Sequence, residues 1–153
     1  MDLRRATVAD IEAMHRIRMA VQENRLKDPS RVRYDDYQRM LEADGRGWVC
    51  EEEGVIVGFG VADHTRRNIW ALFVAPGYER REMGRSLLKV MVEWLFEMGS
   101  EPIWLTTEPG TRAERFYVTA GWCSLGAEAS GEVRFELLGL TPPNKSLERT
   151  RDR

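Results

Sequence analysis

Apolar residues recur at steps of three and four in the first part of the chain, where Ile11, Met14, Ile17 and Val21 form a single stripe. That period predicts an amphipathic helix with one buried face. Thr7 stands before it as an N-cap, with Asp10 three positions on as a capping-box variant, and residues 2–6 read as a short strand leading in. The helix is expected to end near residues 23–25, and Asp28, Pro29 and Ser30 break the chain beyond it. A second short helix is expected over 35–43, with Tyr37, Met40 and Leu41 turned inward and Gly45 and Gly47 closing it.

The pattern then shifts toward strands. Segments 48–52 and 55–62 are joined through Glu53 and Gly54, a tight hairpin in which glycine supplies the positive φ. Residues 69–74 are continuously apolar, as in a strand buried on both faces in the middle of a sheet, and Pro76 and Gly77 end it. A helix is expected over 84–98, with Leu87, Leu88, Met91, Leu95 and Met98 as its stripe and Gly99 as its C-cap. Residues 103–107 form another strand. Pro109, Gly110 and Thr111 lead into a helix over 112–120, and 122–127 with 132–137 close as a hairpin whose second strand alternates cleanly. The crossover helix between 69–74 and 103–107 makes those two strands parallel neighbours. The predicted fold is mixed α/β: a mostly antiparallel sheet of six to seven strands, a central parallel pair, and helices on both faces.

Composition narrows the class. The 153 residues suit one domain, expected to span 1–140. Residues 141–153 open on two prolines and turn polar, with four basic and two acidic residues, and read as a disordered tail. Over the whole chain 23 basic and 25 acidic residues give 23 − 25 = −2, which offers no basic face for nucleic acid. No apolar run approaches the roughly 20 residues of a membrane span, and the N-terminus lacks a secretory signal, so the cytoplasm is the expected location. Cys50 and Cys123 lie in apolar segments and are expected as buried, reduced thiols. His15 and His64 have no partner at a metal-ligand spacing, so no metal is expected.

The segment from Val74 to Leu88 carries the clearest chemistry. A buried strand ends, a short polar loop follows, and a long helix begins. The unbonded N–H groups and dipole of a helix start attract anions. Arg80, Arg81 and Arg85 add positive charge and Ser86 a hydroxyl. From Tyr78 to Lys89 four basic residues face two acidic ones, a net of +2, whereas residues 1–140 carry 19 − 23 = −4. A phosphate or pyrophosphate would suit the loop; arginines that solvate a helix start and pair with Glu79 and Glu82 are the other reading.

This stretch resembles motif A of the GNAT family of N-acetyltransferases, aligned on Val74, Pro76 and the run Gly84, Arg85, Leu87, Leu88. Glu79 stands where that motif has Gln or Arg, and Glu82 where it has its first glycine. Ala113, Phe116, Tyr117, Gly121 and Trp122 resemble motif B, with Gly110 in place of its usual Asn. The order of elements agrees with the GNAT fold over residues 1–140.

The resemblance implies an N-acetyltransferase that moves an acetyl group from acetyl-CoA to an amine of a small molecule or protein by direct attack, with no metal. It implies that the amides of Phe73, Val74 and the loop and helix start at Arg80, Arg81, Glu82, Met83, Gly84, Arg85 and Ser86, together with Phe116, hold the cofactor. It implies Tyr117 as the acid that protonates the leaving thiolate, since a phenol is protonated at neutral pH. For the base that frees the amine, Glu23 is the candidate, with Asp63, His64 and Glu108 as others at strand ends. Asn24, Tyr34 and Tyr37 are candidate walls of the acceptor pocket. Homodimers are frequent in the family, and five tryptophans leave room for an aromatic contact surface. Glu79 and Glu82 favour the alternative of a GNAT-fold module with weak or lost CoA binding that regulates or docks.

Overall fold

A computed structural model describes residues 1–21, 32–79 and 82–139. The expected tail at 141–153 lies outside them. The chain forms β1 (Asp2–Arg5), a 3-10 turn (Val8–Asp10), α1 (Ile11–Ala20), α2 (Tyr34–Arg39), a wide π-type turn (Met40–Asp44) and β2 (Gly45–Glu52). It continues as β3 (Val55–Asp63), β4 (Asn68–Val74), α3 (Met83–Met98), β5 (Ile103–Thr107), α4 (Arg112–Thr119), β6 (Cys123–Ala127) and β7 (Val133–Leu137). The strands make one seven-stranded sheet in the order β1-β2-β3-β4-β5-β7-β6. Only β4 and β5 are parallel; the other neighbours are antiparallel.

Period-two alternation sorts the sheet into two cores. Trp48 and Cys50 of β2 join Val57, Met91, Leu95, Ile103, Leu105 and Phe135 under α3, while Val49 between them joins Phe59, Val61, Ile11, Met14 and Tyr37 under α1 and α2. Helix α3 lies close on the sheet because β3 offers it glycine: a Cβ on Gly60 would stand 2.6 Å from the methyl carbon of Met91.

Three expectations need correction. Gly45 and Gly47 do not close a helix; they open β2, and a Cβ on Gly45 would stand 1.9 Å from the Ala62 carbonyl oxygen on β3. Close strand approach, not helix termination, requires that glycine. The segment 69–74 is not buried on both faces: Ile69 and Ala71 are buried, but Trp70, Leu72, Phe73 and Val74 are half-exposed. Cys123 is exposed, because β6 is the outermost strand and is exposed along its length, whereas Cys50 is buried; both are free thiols.

The half-exposure of β4 has a geometric cause. Its pairing with β3 skips Trp70, where Val61 faces Ala71 and Ala62 faces Ile69, so β4 carries a bulge. Its pairing with β5 is a single partner, Asn68 to Trp104. That end is pinned. The Trp104 N–H donates to the Arg67 carbonyl at 3.1 Å and its indole Nε1 to the Arg66 carbonyl at 2.9 Å. The Arg67 guanidinium in turn donates to the carbonyls of Leu95, Gly99 and Glu101 at the end of α3. From the pin the two strands diverge toward Val74 and Thr107, leaving a fork in the middle of the sheet.

Candidate functional site

A cavity lies on each side of the fork. The first, of about 440 Å³, is walled by the end of β4, the loop at Glu79, the start of α3 and helix α4. The second, of about 730 Å³, runs along the gap between β4 and β5 and is walled by Arg18, Trp70, Trp104, Thr106, Glu108 and Glu132, among others. Leu72, Phe73, Ala113 and Tyr117 line both. The two cavities therefore share a wall at the open end of the fork, and Tyr117 stands in it.

Helix α3 begins at the mouth of the first cavity. Its first intrahelical bond runs from the Ser86 N–H to the Glu82 carbonyl at 3.0 Å, so the N–H groups of Met83, Gly84 and Arg85 precede the ladder at the positive end of the dipole. The Met83 side chain is core, whereas Gly84 lines the cavity and lies against the Phe116 ring. Ser86 is partly buried in the helix's first turn and is not among the residues lining the cavity. Val74 and Phe116 line the cavity.

Glu82 caps α3 in the left-handed region at φ 68°, the conformation for which glycine is the natural residue. Its carboxylate turns outward, 3.5 Å from the Arg85 guanidinium, with two-thirds of the side chain exposed. Glu79 folds back on its own loop. It accepts the Gly77 N–H at 2.9 Å and sits 3.4 Å from the Arg112 guanidinium. Bonds from its own and the Gly77 N–H groups, with Arg112 beside it, hold its carboxyl below the usual range against a smaller opposing effect of burial. Of the charged residues lining this cavity, Arg85, Arg112 and Arg115 are positive and Glu79 and Glu82 negative, 3 − 2 = +1.

Tyr117 is buried on α4, its ring edge-on to Phe116 and Trp122. Burial pushes its hydroxyl above the ordinary phenol value, so it stays protonated throughout the physiological range.

Glu23, Arg80, Arg81 and Asn24 lie outside the described residues. Asp63 is buried at the pinned end of the fork, where its Oδ1 accepts the Arg66 N–H at 3.1 Å, and His64 stacks edge-on to Trp94; neither lines either of these two cavities. Tyr37 is core, its hydroxyl 2.9 Å from His15 Nδ1, and Tyr34 is exposed. Glu108 does line the second cavity. Sequence reasoning missed Arg112 and Arg115, which an i, i+3 spacing puts on one face of α4. It also missed Arg18, whose guanidinium stacks 5.3 Å from the Trp70 ring centre and 5.0 Å from that of Phe73. Among the described residues no cluster of His, Cys, Asp or Glu is arranged to hold a metal, and no helix is long and apolar enough to cross a membrane.

The acetyltransferase (GNAT) family model matches residues 11–122. No curated protein matches the sequence significantly. Among solved structures, an acetyltransferase of the GNAT family from Staphylococcus aureus is similar at TM-score 0.75 and 18% identity, over 92% of this chain and 99% of that one. The PaiA N-acetyltransferase of Thermoplasma acidophilum, solved with coenzyme A, is similar at TM-score 0.74 and 13% identity, over 90% and 98%. A ribosomal-protein-alanine N-acetyltransferase from Brucella melitensis is similar at TM-score 0.65 and 19% identity, over 90% and 99%.

Proposed function

The chain belongs to the acetyltransferase (GNAT) family, and on that premise we propose that it moves the acetyl group of acetyl-CoA to an amine of a small molecule or protein by direct attack. The observation that carries this reading is that two cavities are lined by the same Tyr117. One has the charge and helix start that suit a polyphosphate thioester; the other, along the gap between β4 and β5, gives an acceptor access.

The fit of the co-substrate is supported by the first cavity. The amides at the start of α3, with Arg85, Arg112 and Arg115, would hold the pyrophosphate. Gly84 and Phe116 give a flat apolar wall for the pantetheine arm, and backbone N–H groups of Leu72 to Val74 at the fork would polarise the carbonyl. Bound acetyl-CoA supplies an activated acyl group. Tyr117 holds a proton at its hydroxyl and delivers it to the leaving sulfur; its burial keeps that proton in place at neutral pH. The two free cysteines agree with a reducing cytoplasm, and the fully exposed edge strand β6 leaves a surface for a homodimer.

A second reading, a module with weak or lost CoA binding, draws on Glu82, whose Cβ stands where the backbone would approach a phosphate closely. A thermal-shift titration separates the two. Acetyl-CoA at a hundred times its Kd should stabilise the fold by about 2.7 kcal/mol. An unchanged Tm at millimolar acetyl-CoA would overturn the enzyme reading and leave the module.

A further inference from the structure

An amine acceptor arrives at neutral pH as an ammonium ion and must lose a proton before it can attack. We propose that Glu132 is the group that takes it, held in place by Thr106. The assignment rests on the transferase reading and deepens it.

Two carboxylates, Glu108 and Glu132, line the second cavity. They differ in how they are held. The Thr106 hydroxyl donates to Glu132 Oε1 at 3.0 Å, across 26 residues of sequence. No such bond from a side chain to the Glu108 carboxylate exists among the described residues; only its backbone carbonyl is engaged, by the Thr111 hydroxyl at 2.8 Å. The pairing of β5 with β7 explains why Thr106 and Glu132 meet. Thr106 faces Arg134 and Thr107 faces Val133, so Glu132 enters β7 beside the last turn of β5. Alternation along β5 buries Ile103, Leu105 and Thr107 and leaves Trp104 and Thr106 partly exposed, both lining the cavity. The turn before β7 is itself fixed: the Glu128 N–H donates to the Glu132 carbonyl at 2.7 Å, and the Glu132 N–H to the Ser130 hydroxyl at 3.3 Å. The Arg134 guanidinium on β7 is engaged elsewhere than on this carboxylate. Arg134 pairs with Glu128 and Glu136 and lies over the Trp104 ring, 4.3 Å from its centre.

A carboxylate anchored through one oxygen presents the other to a substrate, directly or through one water. Glu132 accepts one proton of the ammonium and passes it to solvent. The amine nitrogen then forms a bond to the acetyl carbonyl carbon, and the carbon–sulfur bond breaks. The Tyr117 proton goes to sulfur, and the second nitrogen proton, acidic once the nitrogen is acylated, passes directly to solvent, from which Tyr117 is reloaded. The sum is ammonium plus thioester giving amide, free thiol and one proton. Thr106 touches none of the reacting atoms and is a positioning residue.

The test compares two kinds of nucleophile in thiol-release assays on the full-length protein with acetyl-CoA. One is a panel of primary alkylamines, amino-acid amides and short peptides, whose amines are largely protonated at neutral pH. The other is methoxyamine, already a free base there. Glu132→Gln should lower kcat/KM for the responding panel amines by about 100-fold or more and leave the methoxyamine rate, the acetyl-CoA Kd and Tm nearly unchanged. Thr106→Val should lose part of the amine rate, and Thr106→Ser should restore it. Equal losses with both nucleophiles would reduce Glu132 to a structural role and overturn the assignment, as would a loss in Glu108→Gln with Glu132→Gln spared. A wild-type protein that binds acetyl-CoA but acetylates no amine overturns the transferase reading itself, and the assignment with it.

Discussion

The carboxylate of Glu79 and the guanidinium of Arg112 stand 3.4 Å apart and join the loop after β4 to the start of α4 at the mouth of the first cavity. Glu79 thus occupies a cation and a loop amide that an anionic ligand would seek. Glu79→Gln removes the negative charge and keeps an acceptor for the Gly77 N–H. Exposed ion pairs contribute up to about 1 kcal/mol, so acetyl-CoA affinity should rise by up to about fivefold. Arg112→Ala should weaken it. Calorimetric titration measures both, and weaker binding by Glu79→Gln would refute a competing role for this carboxylate.

Glu82 holds a left-handed backbone that a side chain adopts at a cost of about 1 kcal/mol. Glu82→Gly should recover that energy in denaturant unfolding and tighten CoA binding by letting the backbone approach the phosphates. Gains in neither quantity would mean that the chain end of α3 is relaxed as it stands.

Removing only the oxygen of Tyr117 leaves its packing on Phe116, Trp122 and Phe135 in place. Tyr117→Phe should therefore reduce kcat by about 100-fold or more while leaving the acetyl-CoA Kd and Tm almost unchanged. Because burial raises the hydroxyl above its ordinary value of 10.0, no basic limb from this group is expected below that pH. A wild-type turnover number would remove Tyr117 from the chemistry.

Local chemistry was legible in the sequence and long-range geometry was not. The stripes at Ile11, Met14 and Ile17 and at Leu87, Met91 and Leu95 announce helices because a helix period is set within a few residues, and all six are core, whereas Met98 at the end of the second stripe is exposed. The parallel pair also follows from chain connectivity. Residues 69–74, however, have the composition of a fully buried strand, and only the bulge at Trp70 and the single β4–β5 partner make them the wall of a cleft. Thr106 and Glu132 meet through the register of β5 on β7, which neither segment encodes alone. Arg112 and Arg115 were within reach, since their spacing is helical; their importance depends on which face of α4 turns to the cavity. Glu82 differs from the motif in sequence alone, but its left-handed backbone and the place of its carboxylate beside Arg85 appear only in the fold.

The N-terminal strand has its own electrostatic anchor, with a pH signature. Buried Asp10 accepts from Arg4 at 2.9 Å and 3.0 Å and from the Thr7 N–H at 2.8 Å, while Arg4 also donates to Glu51 at 2.8 Å. The bonds from Arg4, more than that from Thr7, hold the Asp10 carboxyl below its ordinary 3.8 despite the opposing effect of burial. A lowered folded value means that this stabilisation is fully present above 3.8 and is lost as the pH falls through the folded value. Asp10→Asn should cost about 1–3 kcal/mol at neutral pH, because it leaves a guanidinium and a cap N–H poorly matched. Its unfolding free energy should also fall less steeply than the wild type's as the pH drops below 3.8. Parallel pH profiles for the two proteins would show that the acid sensitivity of the fold lies in other carboxylates.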